Sequence, residues 1–251
     1  MISRKWFLGC LLLFGSWSAR AGVKALFDPS RTDVGPFPTD ALTVADAEQK
    51  TGRRVNLPLV NCEELWDECN HTRLINQLDG FNPSPRVSVR FSGFVDPSTI
   101  GAGVFLVALD NLTQEEAGLN KPGDVITVNQ TIFDPATYIG YAKPDNVLDQ
   151  HRRYLLVVTD AVRDFGGAPV EADPAFAACI ATPQSDYCTQ LAAQLGAMQE
   201  RWKSQRVVSA SLFTTMSTTT WLEQARAGLQ ATQVGFQRTG TNNVFDVSGI
   251  T

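Results

Sequence analysis

The chain has 251 residues, 43% of them hydrophobic, 19% charged and 9% aromatic, enough apolar material for one large domain or two small ones. That composition excludes a disordered, collagen-like or multi-span membrane protein. Lys and Arg total 21 against 26 Asp and Glu, a net charge of −5, so there is no basic surplus to neutralise a phosphate backbone and no nucleic-acid partner is expected.

The N-terminus reads as a cleaved secretory signal over residues 1–21. Arg4 and Lys5 form a basic start, Trp6 to Phe14 an apolar run too short to span a bilayer, and Ala19-Arg20-Ala21 a small-residue cleavage site before Gly22. Cleavage would remove three cations and no acid, taking the charge from −5 to −8. The chain is therefore expected to be exported, to an extracellular, cell-surface or periplasmic location. Cys10 lies in the signal, which leaves Cys62, Cys69, Cys179 and Cys188. An even number in an exported chain points to structural disulfides, and the local pairs Cys62–Cys69 and Cys179–Cys188 are preferred among three connectivities. Neither spacing suits zinc.

Residues 22–84 read as a loop-rich extension. Prolines at 29, 36 and 38 disfavour helix, and a short helix is expected over Glu63 to Leu78, with Gly80 in the left-handed position past its end. Residues 85–216 change period. Val87, Val89 and Phe91 alternate with polar neighbours as a half-buried strand. Gly103 to Leu109, Asp124 to Val128, Tyr154 to Thr159 and Gln205 to Thr215 supply further strands, and Lys121-Pro122-Gly123 and Asp164-Phe165-Gly166-Gly167 supply turns. The expected fold class is mainly β with helical additions: an antiparallel β-sandwich with two or three helices. One helical insertion falls near 173–204, where Tyr187, Leu191, Leu195, Met198 and Trp202 share a face. Residues 217–251 read as a helix and linker, Thr220 and Glu223 forming a capping box and Trp221, Leu222, Ala225 and Leu229 facing the sandwich. Beyond about Thr232 no closing element is expected.

No residue pattern assigns a catalytic, cofactor-binding or metal site. The nearest approach to a G-x-S-x-G nucleophile turn is Arg90-Phe91-Ser92-Gly93-Phe94, which lacks the first glycine. Its base would have to be His71 or His151, both read as surface residues. Gly118 to Gly123 has phosphate-loop spacing, but Asp124 replaces the lysine. Asp145 and Asp149 read as a solvated acidic loop. Asn70, Asn111 and Asn129 begin glycosylation sequons.

Taken in order, Phe27-Asp28-Pro29, Pro36-Phe37-Pro38-Thr39-Asp40, Leu78-Asp79-Gly80-Phe81, Pro85 to Ser98, Tyr154 to Val170 and Val207 to Thr215 resemble the N-terminal region of secreted bacterial lipases of the virulence-factor type. The later segments are similar to a bacterial Ig-like module. The resemblance implies an Ig-like sandwich and a partner, an ester-hydrolysing α/β-hydrolase domain, on the C-terminal side of Thr251. It carries over no catalytic residue, so the chain is expected to be a non-catalytic accessory region, with a lipid or cell-surface ligand as a further expected partner. The alternative from another class is a free-standing Ig-like surface or glycan-binding module.

Overall fold

Val87 and Val89 are 1% and 2% exposed while Ser88 and Arg90 reach the surface, the period-two alternation that builds β4 (Val87–Arg90). The computed structural model describes residues 22–112, 118–198, 200, 204–231, 235–238 and 245–248, so the signal reading of residues 1–21 and Trp202 of the helical stripe lie outside the described residues. In chain order the other elements are β1 (Lys24–Ala25), β2 (Thr43–Ala45), β3 (Arg53–Val55), α1 (Trp66–Ile75), α2 (Pro97–Gly103), β5 (Val104–Asn111), β6 (Val125–Ile126), β7 (Val128–Asp134), β8 (Ile139–Pro144), β9 (Arg152–Thr159), β10 (Glu171–Ala172), α3 (Pro174–Ala181), α4 (Asp186–Ala197), β11 (Val207–Thr214), α5 (Thr220–Ala231), β12 (Gly235–Arg238) and β13 (Phe245–Ser248).

Two antiparallel sheets, ordered β11-β9-β5-β6 and β4-β8-β7, form a β-sandwich. Val87, Val89 and Phe91 from one sheet and Val104, Leu106, Tyr154, Leu156, Val158 and Phe213 from the other enclose a single core. The larger sheet is covered on its second face too. Val107, Leu109, Leu155, Val157, Ala210 and Leu212 pack under Phe176 of α3 and Leu191 and Leu195 of α4. This double burial explains why β9 is written as a continuous apolar run rather than an alternation. In β11 a register shift between Val207 and Ser209 moves Val208 into the sandwich core, while Ala210 and Leu212 face the helices.

The extension 22–84 is woven into this frame. β1 pairs in parallel with β10, Phe37 bridges Ser88, and Phe81 bridges Thr215 in parallel, beside the last core strand. Ala25, Val55 and Phe81 belong to the sandwich core. Instead of a loop throughout, the extension contains the hairpin β2–β3, whose turn is closed by Gly52 at φ 73° and by the Asp46 N–H to Gly52 carbonyl bond of 3.0 Å. Gly80 is not left-handed. A Cβ there would lie 2.8 Å from the Thr214 carbonyl oxygen and from the Met216 nitrogen, so the glycine lets two backbones touch.

The described residues hold five α-helices rather than two or three. The helical insertion expected near 173–204 is two helices, α3 and α4, while α2 lies outside the expected helices. α2 and α3 are each opened by an aspartate cap and a proline, Asp96 accepting from the Ser98 N–H and Asp173 from the Ala175 N–H. The hairpin β7–β8 and the C-terminal hairpin β12–β13 also went unforeseen. β7 is a polar edge strand with Gln130 at φ 48°. β8 carries Gly140, where a Cβ would meet Ile100 and Phe91 at 3.2 and 3.3 Å. Neither strand owes its form to local propensity.

Candidate interaction surfaces

The disulfides are Cys62–Cys69, bracing the start of α1, and Cys179–Cys188, joining α3 to α4. His71 is exposed, but His151 is 1% exposed, so the surface reading of His151 is corrected. Its burial follows from its place at the mouth of β9, between Gln150 and Arg152, which are both committed to other contacts. Ser92 holds β1 rather than a substrate: its Oγ accepts the Lys24 N–H at 2.9 Å. Asp124 closes its turn by accepting the Lys121 N–H at 2.7 Å.

Asp149 is not a solvated loop acid. Its carboxylate pairs with Arg152 Nε at 3.2 Å and accepts the N–H groups of Leu119 and Asn120. Asp145 accepts the Thr127 hydroxyl. Asn129 is exposed, and Asn70 is half-buried on α1. Among the described residues, no group of three or more His, Cys, Asp or Glu is placed to hold a metal ion, and no helix is long and apolar enough to cross a membrane.

Two poles of the sandwich instead present apolar groups to solvent. The first is built around α5. Its face is not packed on the sandwich: Trp221, Leu222 and Leu229 are 79%, 72% and 70% exposed, and the helix buries no residue. Its root is held by a set of polar contacts. The Thr218 and Thr219 N–H groups donate to Gln150 Oε1 at 2.9 and 3.2 Å, and Gln150 Nε2 donates to Thr219 Oγ1 at 2.9 Å. Ser217 N–H donates to Asp79 Oδ1 at 2.7 Å, and Lys50 Nζ reaches Glu223 at 3.2 Å. Thr219, not Thr220, makes the capping partnership with Glu223, one position earlier than expected. These hydroxyl and Lys50 contacts hold the Glu223 carboxyl below the usual carboxylate range.

Beside this root runs an apolar groove of about 340 Å³, lined by Phe37, Leu57, Ile75, Leu78, Phe81 and Met216. Along α1 and the loop before it, Leu59, Leu65, Trp66, Leu74 and Ile75 are exposed as well. The stripe on α5 was readable from its spacing; α1 gave no such signal because its apolar residues follow no helical face.

The opposite pole, across eight-residue strands spanning roughly 25 Å, carries Phe94 and Phe165. Their ring centroids are 6.3 Å apart, and Tyr138 and Phe133 back Phe94 at 5.0 and 6.5 Å. Asp164-Phe165-Gly166 is the turn expected from its composition, and it also carries an exposed ring. The overlooked signal was a large aromatic at a turn tip, where nothing can bury it.

No family model matches the chain, and no curated protein matches it. Among solved structures, the chain is similar over 43% of its length to domains 1–6 of the surface layer protein SbsC, at 13% identity and a TM-score of 0.26, and spans 15% of that chain. It is similar over 44% of its length to the N-terminal part of the bacterial S-layer protein SbsC, at 13% identity and a TM-score of 0.27, spanning 26% of that chain.

Proposed function

We propose that the chain is a non-catalytic accessory region of a secreted bacterial lipase, a sandwich that carries and orients an ester-hydrolysing α/β-hydrolase domain following α5. The observation that carries this reading is the exposed apolar face of α5, with Trp221, Leu222 and Leu229 in water on a helix whose first turn is pinned. A free helix end would swing. One fixed by Gln150, Glu223 and Lys50 holds a following domain at a set angle over the groove of Phe37, Ile75 and Met216. Contiguous exposed apolar surface of this kind marks a contact site. The two disulfides support an oxidising location outside the cytoplasm, with residues 1–21 acting as a cleaved signal.

Reading the genomic DNA beyond the Thr251 codon tests the proposal. An in-frame or frameshifted stretch encoding a G-x-S-x-G turn is expected, and its absence overturns the lipase assignment. A second test incubates the purified chain with short-chain nitrophenyl esters. No turnover is expected, and turnover abolished by a serine-reactive phosphonate would refute a non-catalytic role.

A further inference from the structure

The pole opposite α5 presents two aromatic rings that the fold orders and leaves in water. Phe165 is 76% exposed and Phe94 48%. Phe165 sits at the tip of a turn in which Asp164 Oδ1 accepts the N–H groups of Gly166 and Ala168, each at 2.8 Å. The turn is closed by Gly167 at φ 82°, which donates to the Asp164 carbonyl. That turn is tied to the Phe94 segment: Val95 bridges Asp164, and the Asp96 N–H donates to the Arg163 carbonyl at 2.8 Å. On the far side of Phe94, Tyr138 takes φ 57°, a left-handed conformation that a tyrosine rarely adopts, and its ring meets Phe94 edge-on at 77°. The rings are thus pre-ordered, although the hydrophobic effect favours hiding them.

Phe94 and Phe165 wall an open cleft of about 670 Å³ whose other side chains include Asp160, Asp164, Glu171 and Arg206. The chemistry of the lining selects among occupants. A quaternary ammonium ion needs space between rings, and these rings touch one another at centroid distances of 5.0 to 6.5 Å. A bare acyl chain would cover three carboxylates, two of them held only in part by backbone N–H groups, and offer no hydrogen bond in place of the water it displaces. An anion meets those three carboxylates against one guanidinium. A sugar satisfies both halves of the lining. Its C–H face stacks on a ring, and its hydroxyls donate to carboxylates and accept from a guanidinium.

We infer that this cleft binds a saccharide segment free of acidic groups. The site does not depend on a lipase partner, because it lies at the pole away from α5. A lone module would keep it.

Calorimetric titration of the purified chain with cellohexaose, mannohexaose, chitohexaose and a hexamer of galacturonic acid tests the inference. Co-sedimentation with phosphatidylcholine and phosphatidylglycerol vesicles runs in parallel. At least one of the uncharged or N-acetylated hexasaccharides is expected to saturate the protein, with the galacturonate hexamer inert. Phe165→Ala and Phe94→Ala should each weaken that binding about tenfold or more. Glu171→Gln should weaken it severalfold and Trp221→Ala should leave it unchanged. Phe165→Ala should also leave the unfolding temperature unchanged, because the ring buries little of itself. The inference is overturned if none of the uncharged sugars binds, if both phenylalanine variants bind as the parent does, or if vesicle binding is what Phe165→Ala abolishes. That last result would give the cleft to a lipid surface.

Discussion

The carboxylate of Asp40 accepts both the backbone N–H and the hydroxyl of Thr214, each at 2.8 Å, fastening the N-terminal extension to the last strand of the sandwich. Arg53 Nε lies 3.7 Å away. Burial nevertheless pushes the Asp40 carboxyl above its ordinary value of 3.8, against the pull of Arg53 and Thr214. The folded chain therefore keeps this proton to higher pH than the unfolded chain does. Stability from this group is lost as pH rises from 3.8 through the raised value. Asp40→Asn can keep both contacts with Thr214 and has no charge to desolvate. Its stability relative to the parent should rise with pH across that window, as read from urea midpoints; a difference independent of pH would contradict the account. Asp40→Ala, which strands two buried donors, should cost about 2–3 kcal/mol.

Tyr154 stacks on Phe213 with ring centroids 5.8 Å apart, and its hydroxyl accepts the Asp149 N–H at 2.8 Å. Burial raises its pKa to about 12, and burial of the Tyr187 hydroxyl moves that group the same way. Both groups favour the fold while protonated, so their support is complete below pH 10.0 and is lost as pH climbs past it toward the raised values. At about pH 11 the native chain should show less tyrosinate absorbance than the same chain in guanidinium chloride. Identical spectra would falsify the burial of these hydroxyls. Tyr154→Phe should blunt the alkaline loss of stability.

Two glycines should respond in opposite directions. At Gly80 a methyl group meets backbone atoms of Thr214, Thr215 and Met216 at 2.8 Å, where the Phe81 N–H donates to the Thr214 carbonyl and the Met216 N–H to the Phe81 carbonyl. Gly80→Ala should cost about 3 kcal/mol or more, because the strain falls on backbone that cannot turn aside. At Gly228, on α5, a methyl group meets nothing within 4 Å. Gly228→Ala should raise helix content and stabilise α5 by about 0.5–1 kcal/mol. Circular dichroism and denaturant unfolding of the two variants read both signs, and a neutral Gly80→Ala would remove the close-approach explanation.

The Cys179–Cys188 bridge closes a sequence separation of 9 between the end of α3 and the first turn of α4, the pair of helices that covers the second face of the larger sheet. Replacing both cysteines with serine should lower stability by about 2–3 kcal/mol through the freed loop alone. Amide exchange should then quicken first in α3 and α4, ahead of β9. Uniform acceleration across the chain would show that the helices and the sandwich open as one unit.

Where a segment's own chemistry decided its form, the amino-acid order was enough to read it. Val87, Val89 and Phe91 alternate because one face of β4 is core, and Tyr154 to Thr159 is unbroken because β9 lies between two cores. β7 and β8 were illegible for the opposite reason. Val128–Asp134 is mostly polar, and Ile139–Pro144 contains a glycine and a proline, so their pairing rests on tertiary context, in which Gly140 leaves room for Ile100 and Phe91. The apolar stripe of α5 was visible, but periodicity names a face without saying what lies against it. The aromatic pole was hidden because Phe94, Phe133, Tyr138 and Phe165 come from separate loops and strand ends, brought together by β4, the β7–β8 hairpin and the turn after β9.

The pairing of Lys24 with Glu171 has a consequence for the order in which the molecule can be completed. Chains are made from the amino end, so Lys24, Ala25 and Phe27 exist long before the β10 strand and the Phe176 ring that will house them. Until then only the side of the strand that meets Arg90 to Ser92 has a partner. Contacts that span so much of the chain slow folding, and here a segment made early is among the last to be fully enclosed. One edge of this stretch can dock on Arg90 to Ser92 early, but protease resistance should be complete only when Glu171 and Ala172 close the other edge.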